Sequence, residues 1–178
     1  MMLKLSETGL EFEAYAAARR AAGLPVIIDL GCGAKKVPGA FGIDLIALAG
    51  VDLVHDLEAT PYPLPESCAD TIYLNHVLEH FEKPLPLLEE VWRLARPDGQ
   101  VLIRTPHYSG TYAWIDPTHR HAFSAKSEGV WPWPHRLWGR AVQWVLDRHP
   151  TFGERFLCLL VGGIDELRVT LAAVKPRG

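Results

Sequence analysis

The chain has 178 residues, of which 48% are hydrophobic and 22% are charged, and its formal net charge is −3. This length suits one domain with a sizeable core, and the composition is that of an ordinary globular protein rather than a disordered or fibrous one. A weakly acidic chain has no broad cationic surface, so nucleic acid is not an expected partner.

The first part of the chain predicts one helix followed by three short strands. An alanine-rich segment at 10–22 has apolar residues at helical spacing and is followed by glycine and proline, which predicts a leading helix. The apolar run at 26–30 is typical of a central parallel strand. Residues 41–45 and 51–54 predict strands two and three.

The rest of the chain predicts a further helix between strands. Prolines 84 and 86 suit a helix start, and an apolar helical face continues from there up to Pro97. The pattern leaves residues 136–149 open between a helix and a sixth strand. The other elements predicted here are a loop at 60–67, strand four at 71–74, a turn at 97–99, strand five at 101–104 and a closing edge strand at 166–174.

Two connections are too short for the helix that normally joins parallel strands. Seven residues separate Gly33 from Phe41, and three prolines interrupt the stretch between Asp56 and Ala69. A crossover between parallel strands needs about a dozen or more residues when it contains a helix. We therefore predict a trimmed α/β domain in which the crossovers after strands one and two or three are loops.

The cysteines and the N-terminal residues bear on the compartment. The three cysteines are widely spaced and form no CxxC pair, which argues against a disulfide framework and favours a reducing cytoplasm. Residues 1–20 carry charges throughout and lack the apolar core of a signal peptide. The longest apolar runs are too short to span a bilayer. We expect a cytoplasmic protein that has no membrane partner.

The most informative motif is a strand that runs into the turn Gly31-Cys32-Gly33, with Asp44 at the end of the next strand. Glycines let the backbone approach a nucleoside, and the acid accepts hydrogen bonds from ribose hydroxyls. A pyrophosphate-binding turn would have a third glycine at the start of a helix. Lys36 occupies that place and no helix fits there, which disfavours a nicotinamide dinucleotide and favours a nucleoside ligand without phosphates.

The segment from Asp29 to Asp44, DLGCGAKKVPGAFGID, resembles the class I S-adenosylmethionine-dependent methyltransferases, especially small members with the motif DLGCGxxKxPGxxG[IV]D. The resemblance spans roughly residues 26–107 as an ordered set of segments. It implies a Rossmann-like, mostly parallel twisted sheet whose antiparallel last strand lies beside strand five. It also implies S-adenosylmethionine as the cofactor, S-adenosylhomocysteine as the product, and methyl transfer as the reaction.

The resemblance implies roles for residues around the glycine turn. The backbone at Gly31, Cys32 and Gly33 would pack against the methionine part of the cofactor. Asp29 would fix the turn and face the amino group of the cofactor. Lys36 would pair with its carboxylate. A plain strand-to-turn connection is the structural alternative for the glycines.

The resemblance implies further contacts on the following strands. Asp44 would accept hydrogen bonds from both ribose hydroxyls, which are stronger than bonds between neutral groups because the carboxylate is charged. Asp56 and the Leu57 backbone would border the adenine, with a merely structural role of Asp56 as the alternative. Asn75 and His76, at the end of strand four, would lie beside the sulfonium and the incoming acceptor.

The segment after strand five predicts the acceptor site and its lid. Five of the six tryptophans and five of the eight histidines follow strand five, and loops at the carboxyl ends of parallel strands surround the ligand crevice. The stretches PHYS and DPTH there are similar to segments of the same family. An oxygen or nitrogen acceptor needs a base near neutral pKa. The candidates are His107 or His119, with Asp116 orienting an imidazole or taking the proton itself.

Alternatives stay open in this segment. The Asp116 carboxylate is also suited to capping backbone amides in an Asp-Pro turn. A rival interpretation makes Asp116, His119 and His121 a metal site. His76 and His80 are four residues apart, which is also metal-ligand spacing. We favour pocket lining for His76 and a capping or supporting role for His80, and assign no metal.

Together these patterns predict a small methyltransferase that acts on a small-molecule or saccharide-like acceptor, because aromatic side chains suit planar and sugar rings. The alternative is a non-catalytic S-adenosylmethionine-binding or partner-regulating protein of the same fold. The trimmed crossovers expose more sheet than usual, which favours a homodimer. The predicted regions of the single domain are the N-terminal helix at 1–24, the cofactor core at 25–105, the acceptor and lid region at 106–163 and the closing strand at 164–178.

Overall fold

The computed structural model describes residues 7–124, 137–145 and 166–175, and seven strands in these residues form one sheet. The strands are β1 (Ile27–Leu30), β2 (Phe41–Asp44), β3 (Leu53–Val54), β4 (Ala69–Asn75), β5 (Ala95–Pro106), β6 (Leu137–Val145) and β7 (Glu166–Ala173). The helices are α1 (Glu7–Ala21), α2 (Pro84–Leu94) and α3 (Tyr112–Ile115), and a 3₁₀ turn spans Leu78–His80.

The strand order in the sheet is β3-β2-β1-β4-β5-β7-β6. The neighbours from β3 to β5 pair in parallel, whereas β7 pairs antiparallel with both β5 and β6. This confirms the predicted Rossmann-like sheet with an antiparallel last strand beside strand five. Residues 137–145 form an edge strand, which settles the open choice between helix and strand there.

The sequence pattern predicted that the closing strand lies at the edge of the sheet, and this prediction is wrong. β7 lies between β5 and β6 and buries every second side chain, from Leu167 to Ala173. The alternation reports which face of a strand is buried, and it carries no information about how many neighbours the strand has. The pairing partner β6 comes from the tryptophan-rich segment, which the sequence pattern did not identify as a strand.

The predicted turn at 97–99 lies inside β5. Ala95 pairs with Ala69 and Gln100 pairs with Thr71, so several residues of β5 bulge opposite one residue of β4. Asp98 adopts a positive φ of 62° there. β5 therefore begins directly after α2. The residues predicted as a turn form a bulge within β5, at the end of the strand that lies away from the ligand crevice.

The connections between β1 and β4 contain no helix, which confirms the shortened crossovers. The longest of them is held by side chains of α2. Glu90 Oε1 accepts a hydrogen bond from the Tyr62 backbone N–H at 2.7 Å, and Arg93 donates to the carbonyl oxygens of Leu64 and Tyr62 at 3.0 and 3.2 Å. Buried hydrogen bonds to charged groups thus fix a loop that has no regular backbone pairing of its own.

The leading helix covers the sheet beside the trimmed connection after β1. Phe12 and Ala16 of α1 are each 1% exposed, and the rings of Phe12 and Phe41 are 5.2 Å apart in an edge-on contact. The Tyr15 hydroxyl lies 2.8 Å from the carbonyl oxygens of Ile27 and Gly39. None of the described helices is long and apolar enough to cross a membrane.

Candidate active site

The glycine turn after β1 is tied to the end of β2. The backbone N–H groups of Gly31 and Cys32 donate to the Ile43 carbonyl at 2.8 and 3.2 Å. The Gly33 N–H donates to Asp44 Oδ2 at 2.8 Å. The structure therefore brings together the two features of the sequence motif at the carboxyl edge of the sheet, where open α/β sheets bind ligands.

The two glycines of this turn serve different needs. Both have positive φ, 67° at Gly31 and 53° at Gly33. A Cβ on Gly31 would lie 2.4 Å from Val77 Cγ2, so the side chain of the segment after β4 excludes any larger residue. A Cβ on Gly33 would meet no described atom within 4 Å. Gly31 permits close packing, whereas Gly33 borders open space in which a ligand can approach the backbone.

Asp29 is a buried carboxylate beneath the turn, 1% exposed. Its Oδ2 accepts the Val37 N–H at 2.8 Å, but its buried Oδ1 accepts no hydrogen bond from the described residues. Burial raises the pKa of Asp29. An unsatisfied buried carboxylate oxygen is costly, and a cationic donor such as an amino group would remove that cost. This orphaned oxygen fits the predicted contact with the amino group of the cofactor.

The carboxylates of Asp44 and Asp56 each bond a backbone N–H two residues on, at Ile46 (3.0 Å) and Glu58 (2.9 Å). A carboxylate has about four acceptor positions, so each retains capacity for a ligand. Asp56 is exposed and Leu57 is buried. The N–H of His55 donates to the Asp44 carbonyl at 2.8 Å, which holds the start of this loop beside the end of β2.

Lys36 is engaged away from this carboxylate set. Its ammonium lies 2.6 Å from Asp52 Oδ2, which also accepts the Gly42 N–H at 2.7 Å. The bond from Lys36 to the methionine carboxylate that the sequence suggested would therefore require this ion pair to break. Burial raises the pKa of Cys32 to about 11, so its thiol is neutral and serves as a small packing group.

The backbone of β4 ends at Asn75 and turns sharply at His76, which has a φ of 54°. The imidazole lies between two carboxylates, with Nδ1 3.3 Å from Glu79 Oε1 and Nε2 3.2 Å from Glu166 Oε2. Glu79 and, to a lesser extent, Glu166 raise the pKa of His76. No sequence pattern assigns Glu166 a role, because only the antiparallel placement of β7 brings the first residue of this strand to this edge.

His107 lies at the start of the loop of residues 107–124, which we call the acceptor loop after its predicted role, and it is 3% exposed. Its Nδ1 accepts the Ser109 N–H at 3.3 Å and lies 2.7 Å from the Ser109 hydroxyl. A neutral ring that accepts at Nδ1 carries its proton on Nε2, so it acts as a hydrogen-bond donor. Burial lowers the pKa of His107, which keeps the ring neutral at pH 7. These contacts favour a donor over the predicted general base.

Asp116 and His119 lie together on the same loop. Asp116 Oδ1 accepts both the backbone N–H and the hydroxyl of Thr118, at 2.8 and 2.6 Å, and these bonds lower the pKa of Asp116. The turn-capping alternative therefore holds for this oxygen. Asp116 Oδ2 lies 3.8 Å from His119 Nε2.

The rival metal trio of Asp116, His119 and His121 is not assembled. His121 turns away from it, with Nε2 3.1 Å from the Glu82 carbonyl. His119 instead packs against His80, with ring centroids 4.8 Å apart. His80 thus lies beside the loop of residues 107–124, and its supporting role stays a prediction.

The chain matches known proteins in family and in fold. A family model described as "Methyltransferase domain" matches residues 8–157. No curated protein matches the sequence. Similar solved structures include a chain of the complex between the Haloferax volcanii Trm112 methyltransferase activator and a putative methyltransferase, at 16% identity and TM-score 0.62, covering 93% of this chain and 98% of that one.

Two further structures have the same fold. An S-adenosylmethionine-dependent methyltransferase from Mesorhizobium loti is 18% identical with TM-score 0.60, covering 90% of this chain and 99% of that one. A 16S rRNA (adenine(1408)-N(1))-methyltransferase variant from Catenulisporales acidiphilia, solved with S-adenosylmethionine, is 17% identical with TM-score 0.57, covering 100% and 96%.

The sheet order, the glycine turn and these matches define a class I S-adenosylmethionine-dependent methyltransferase. The chain belongs to the methyltransferase domain family. It is therefore an enzyme, and S-adenosylmethionine is its cofactor. The open space at Gly33 and the orphaned Asp29 oxygen fit the contacts that the sequence predicts between the glycine turn and this cofactor.

Proposed function

We propose that the enzyme methylates an oxygen or nitrogen of a small, saccharide-like acceptor that binds against the loop of residues 107–124. The observation that carries this proposal is a set of exposed aromatic rings in this loop next to a carboxylate. Tyr108, Tyr112 and Trp114 are 51%, 60% and 68% exposed, and Trp114 Nε1 donates to the Tyr108 carbonyl at 2.7 Å.

Aromatic side chains offer a large apolar contact area at little entropic cost, which suits a sugar ring or another planar acceptor. The loop follows β5, and its neighbours at the carboxyl edge are the residues proposed for the cofactor. S-adenosylmethionine supplies the electrophilic methyl group, so the chain contributes mainly alignment of the acceptor, which can lower the barrier by several kcal/mol.

Asp116 is the proposed proton acceptor. Its Oδ1 is held twice by Thr118, whereas Oδ2 stays available and the side chain is 43% exposed. Bonding to Thr118 keeps the pKa of Asp116 low, so the group is ionised at neutral pH. Even a weak base suffices here, because an acceptor hydroxyl becomes strongly acidic as it gains the methyl group. His119 is given no proton-transfer role in this proposal.

The experiment is to incubate the protein with methyl-labelled S-adenosylmethionine and either a small-molecule extract or ribosomal RNA. Label is expected in the small-molecule fraction, and Asp116→Asn is expected to lower kcat by about 10²- to 10⁴-fold. Asp98→Asn is the matched control, because Asp98 is exposed on the bulge at the far end of β5 and asparagine tolerates its positive φ. Label found only in the RNA would refute the proposed acceptor class.

We also propose a homodimer through the β3 edge of the sheet. Large apolar side chains are exposed there and on the preceding loop, namely Leu45, Ile46, Leu48 and Val54. A second copy would bury these side chains, and monomeric proteins rarely expose large apolar patches. Sedimentation of the full chain is expected to give the mass of a dimer, and replacing Ile46 and Val54 by lysine is expected to give monomers. A wild-type monomer at micromolar concentration would contradict the dimer.

A further inference from the structure

Three potential metal ligands meet where the acceptor loop crosses the 3₁₀ turn. The ligand atoms of Glu79, His80 and His119 all lie within 4.8 Å of one another. The backbone holds the two segments together, since the N–H groups of Arg120 and His121 donate to the Glu79 carbonyl at 2.8 and 3.2 Å. The cluster is therefore built on fixed backbone rather than on long mobile side chains.

The hydrogen bonds around His80 determine which nitrogen is free to bind a metal. The Thr118 hydroxyl donates its only proton to Asp116 Oδ1, so its oxygen accepts from His80 Nδ1, which lies 3.0 Å away. The proton of the neutral ring is then on Nδ1, and Nε2 presents a lone pair. The Asp116 carboxylate thus orients the His80 imidazole through the Thr118 hydroxyl. Metal-binding histidines are commonly oriented in this way by a hydrogen bond to the nitrogen that does not bind the metal.

The neutral ring of His119 also carries its proton on Nδ1. Its Nδ1 lies 3.4 Å from the Ala113 carbonyl, which can only accept, so this nitrogen carries the proton. Nε2 then presents a lone pair, although Asp116 Oδ2 lies only 3.8 Å from it. The negative charge of this carboxylate favours a cation bound at Nε2, which the carboxylate attracts without being a ligand itself.

Glu79 adds a buried oxygen to the cluster. The residue is 1% exposed, and its Oε2 accepts the Thr105 hydroxyl at 3.0 Å. Its buried Oε1 lies 3.3 Å from His76 Nδ1 and receives no other contact of this kind from the described residues. A carboxylate has about four acceptor positions, so this oxygen can also meet a cation on its other side.

We propose that Glu79, His80 and His119 bind one Zn²⁺ ion, which fastens the acceptor loop to the 3₁₀ turn. Two imidazole nitrogens and one carboxylate oxygen form a donor set that zinc uses, whereas magnesium and calcium prefer oxygen ligands alone. Asp116 and Thr118 set the orientation of His80 without binding the ion. The site does not depend on which acceptor is methylated.

The test is titration of the chelator-treated full chain with Zn²⁺ by calorimetry. One ion per chain is expected to bind. Thr118 bonds a ligand of the metal but not the metal, so Thr118→Val is expected to weaken binding by roughly 10- to 100-fold. His80→Gln and His119→Gln each remove a ligand and are expected to weaken binding by more than that. His121→Gln is the matched control, because His121 lies on the same loop but bonds the Glu82 carbonyl, and it is expected to keep the wild-type affinity.

Two results would overturn the proposal. One is an affinity in the His80→Gln/His119→Gln double variant equal to that of the wild type, which would mean an adventitious ion only. The other needs no variant. The visible spectrum of the Co²⁺-loaded wild type is expected to show the intense bands of four- or five-coordinate cobalt, and the weak bands of hydrated octahedral cobalt would exclude the site. Thermal unfolding of each variant in chelator verifies that it is folded.

Discussion

Asp44→Ala is expected to remove almost all of the stabilisation that S-adenosylmethionine gives the wild-type chain. At a hundred times its dissociation constant a ligand adds about 2.7 kcal/mol to the free energy of unfolding. The carboxylate of Asp44 closes the glycine turn through the Gly33 N–H and is the proposed acceptor for both ribose hydroxyls. Two hydrogen bonds to a charged group account for a loss of about 100-fold in affinity or more, which at the same concentration leaves about 0.4 kcal/mol.

The measurement is thermal unfolding of each variant with and without S-adenosylmethionine, together with a calorimetric dissociation constant. Asp52→Ala is the matched control. Asp52 also bonds a backbone N–H of this region and in addition pairs with Lys36, so its loss costs comparable stability without touching the proposed ribose site. It is expected to keep the shift or to increase it, because the freed Lys36 ammonium can then reach the methionine carboxylate of the cofactor. NAD is expected to stabilise neither protein, and an unchanged shift in Asp44→Ala would show that the cofactor lies elsewhere.

Gly31→Ala and Gly33→Ala are expected to fail in different ways, although only one residue separates the two glycines. At Gly31 the positive φ costs about 1–2 kcal/mol for a residue with a side chain, and overlap of the new methyl with Val77 adds about 1–3 kcal/mol. At Gly33 only the cost of the positive φ applies, because the methyl meets open space among the described residues. That methyl would instead occupy the approach to the cofactor and lower its affinity.

Urea unfolding measures the first effect and S-adenosylmethionine calorimetry measures the second. Adding Val77→Ala to Gly31→Ala is expected to recover the part due to overlap, as a coupling of about 1–3 kcal/mol between the two positions. The same addition to Gly33→Ala is expected to show no coupling, which makes it the control. Equal destabilisation by both glycine variants, with no coupling to Val77, would contradict the different roles of the two glycines.

Local patterns predicted much of the cofactor half of this protein. The leading helix, the parallel strands up to β5 and the shortened crossovers follow from apolar runs, glycine and proline positions and connection lengths. These signals act over a few residues, so the sequence carries them directly. The neighbourhood of Gly33 and Asp44 was also predictable, because consecutive parallel strands end at the same edge.

The side-chain contacts of the acceptor half could not be predicted from local patterns. The sequence offered Asp116, His119 and His121 as one group, since they are close along the chain. The structure separates His121 and brings in Glu79 and His80 from another segment. Side chains that are close in the sequence of a loop can point in different directions, because the backbone of a loop does not repeat as it does in a helix or strand. The sequence of a loop therefore does not show which of its side chains meet.

The sequence by itself determined the class of fold, because apolar runs, glycines and prolines act over a few residues. It indicated the methyl donor through the family resemblance of the segment from Asp29 to Asp44, and it predicts the edge of the sheet where that donor binds. Only the tertiary structure decided that β7 lies inside the sheet, that Glu166 faces His76, that Lys36 pairs with Asp52 and that His107 is buried. Each of these depends on contacts between segments far apart in the chain. Their pairing is set by the packing of the whole sheet and not by any local pattern.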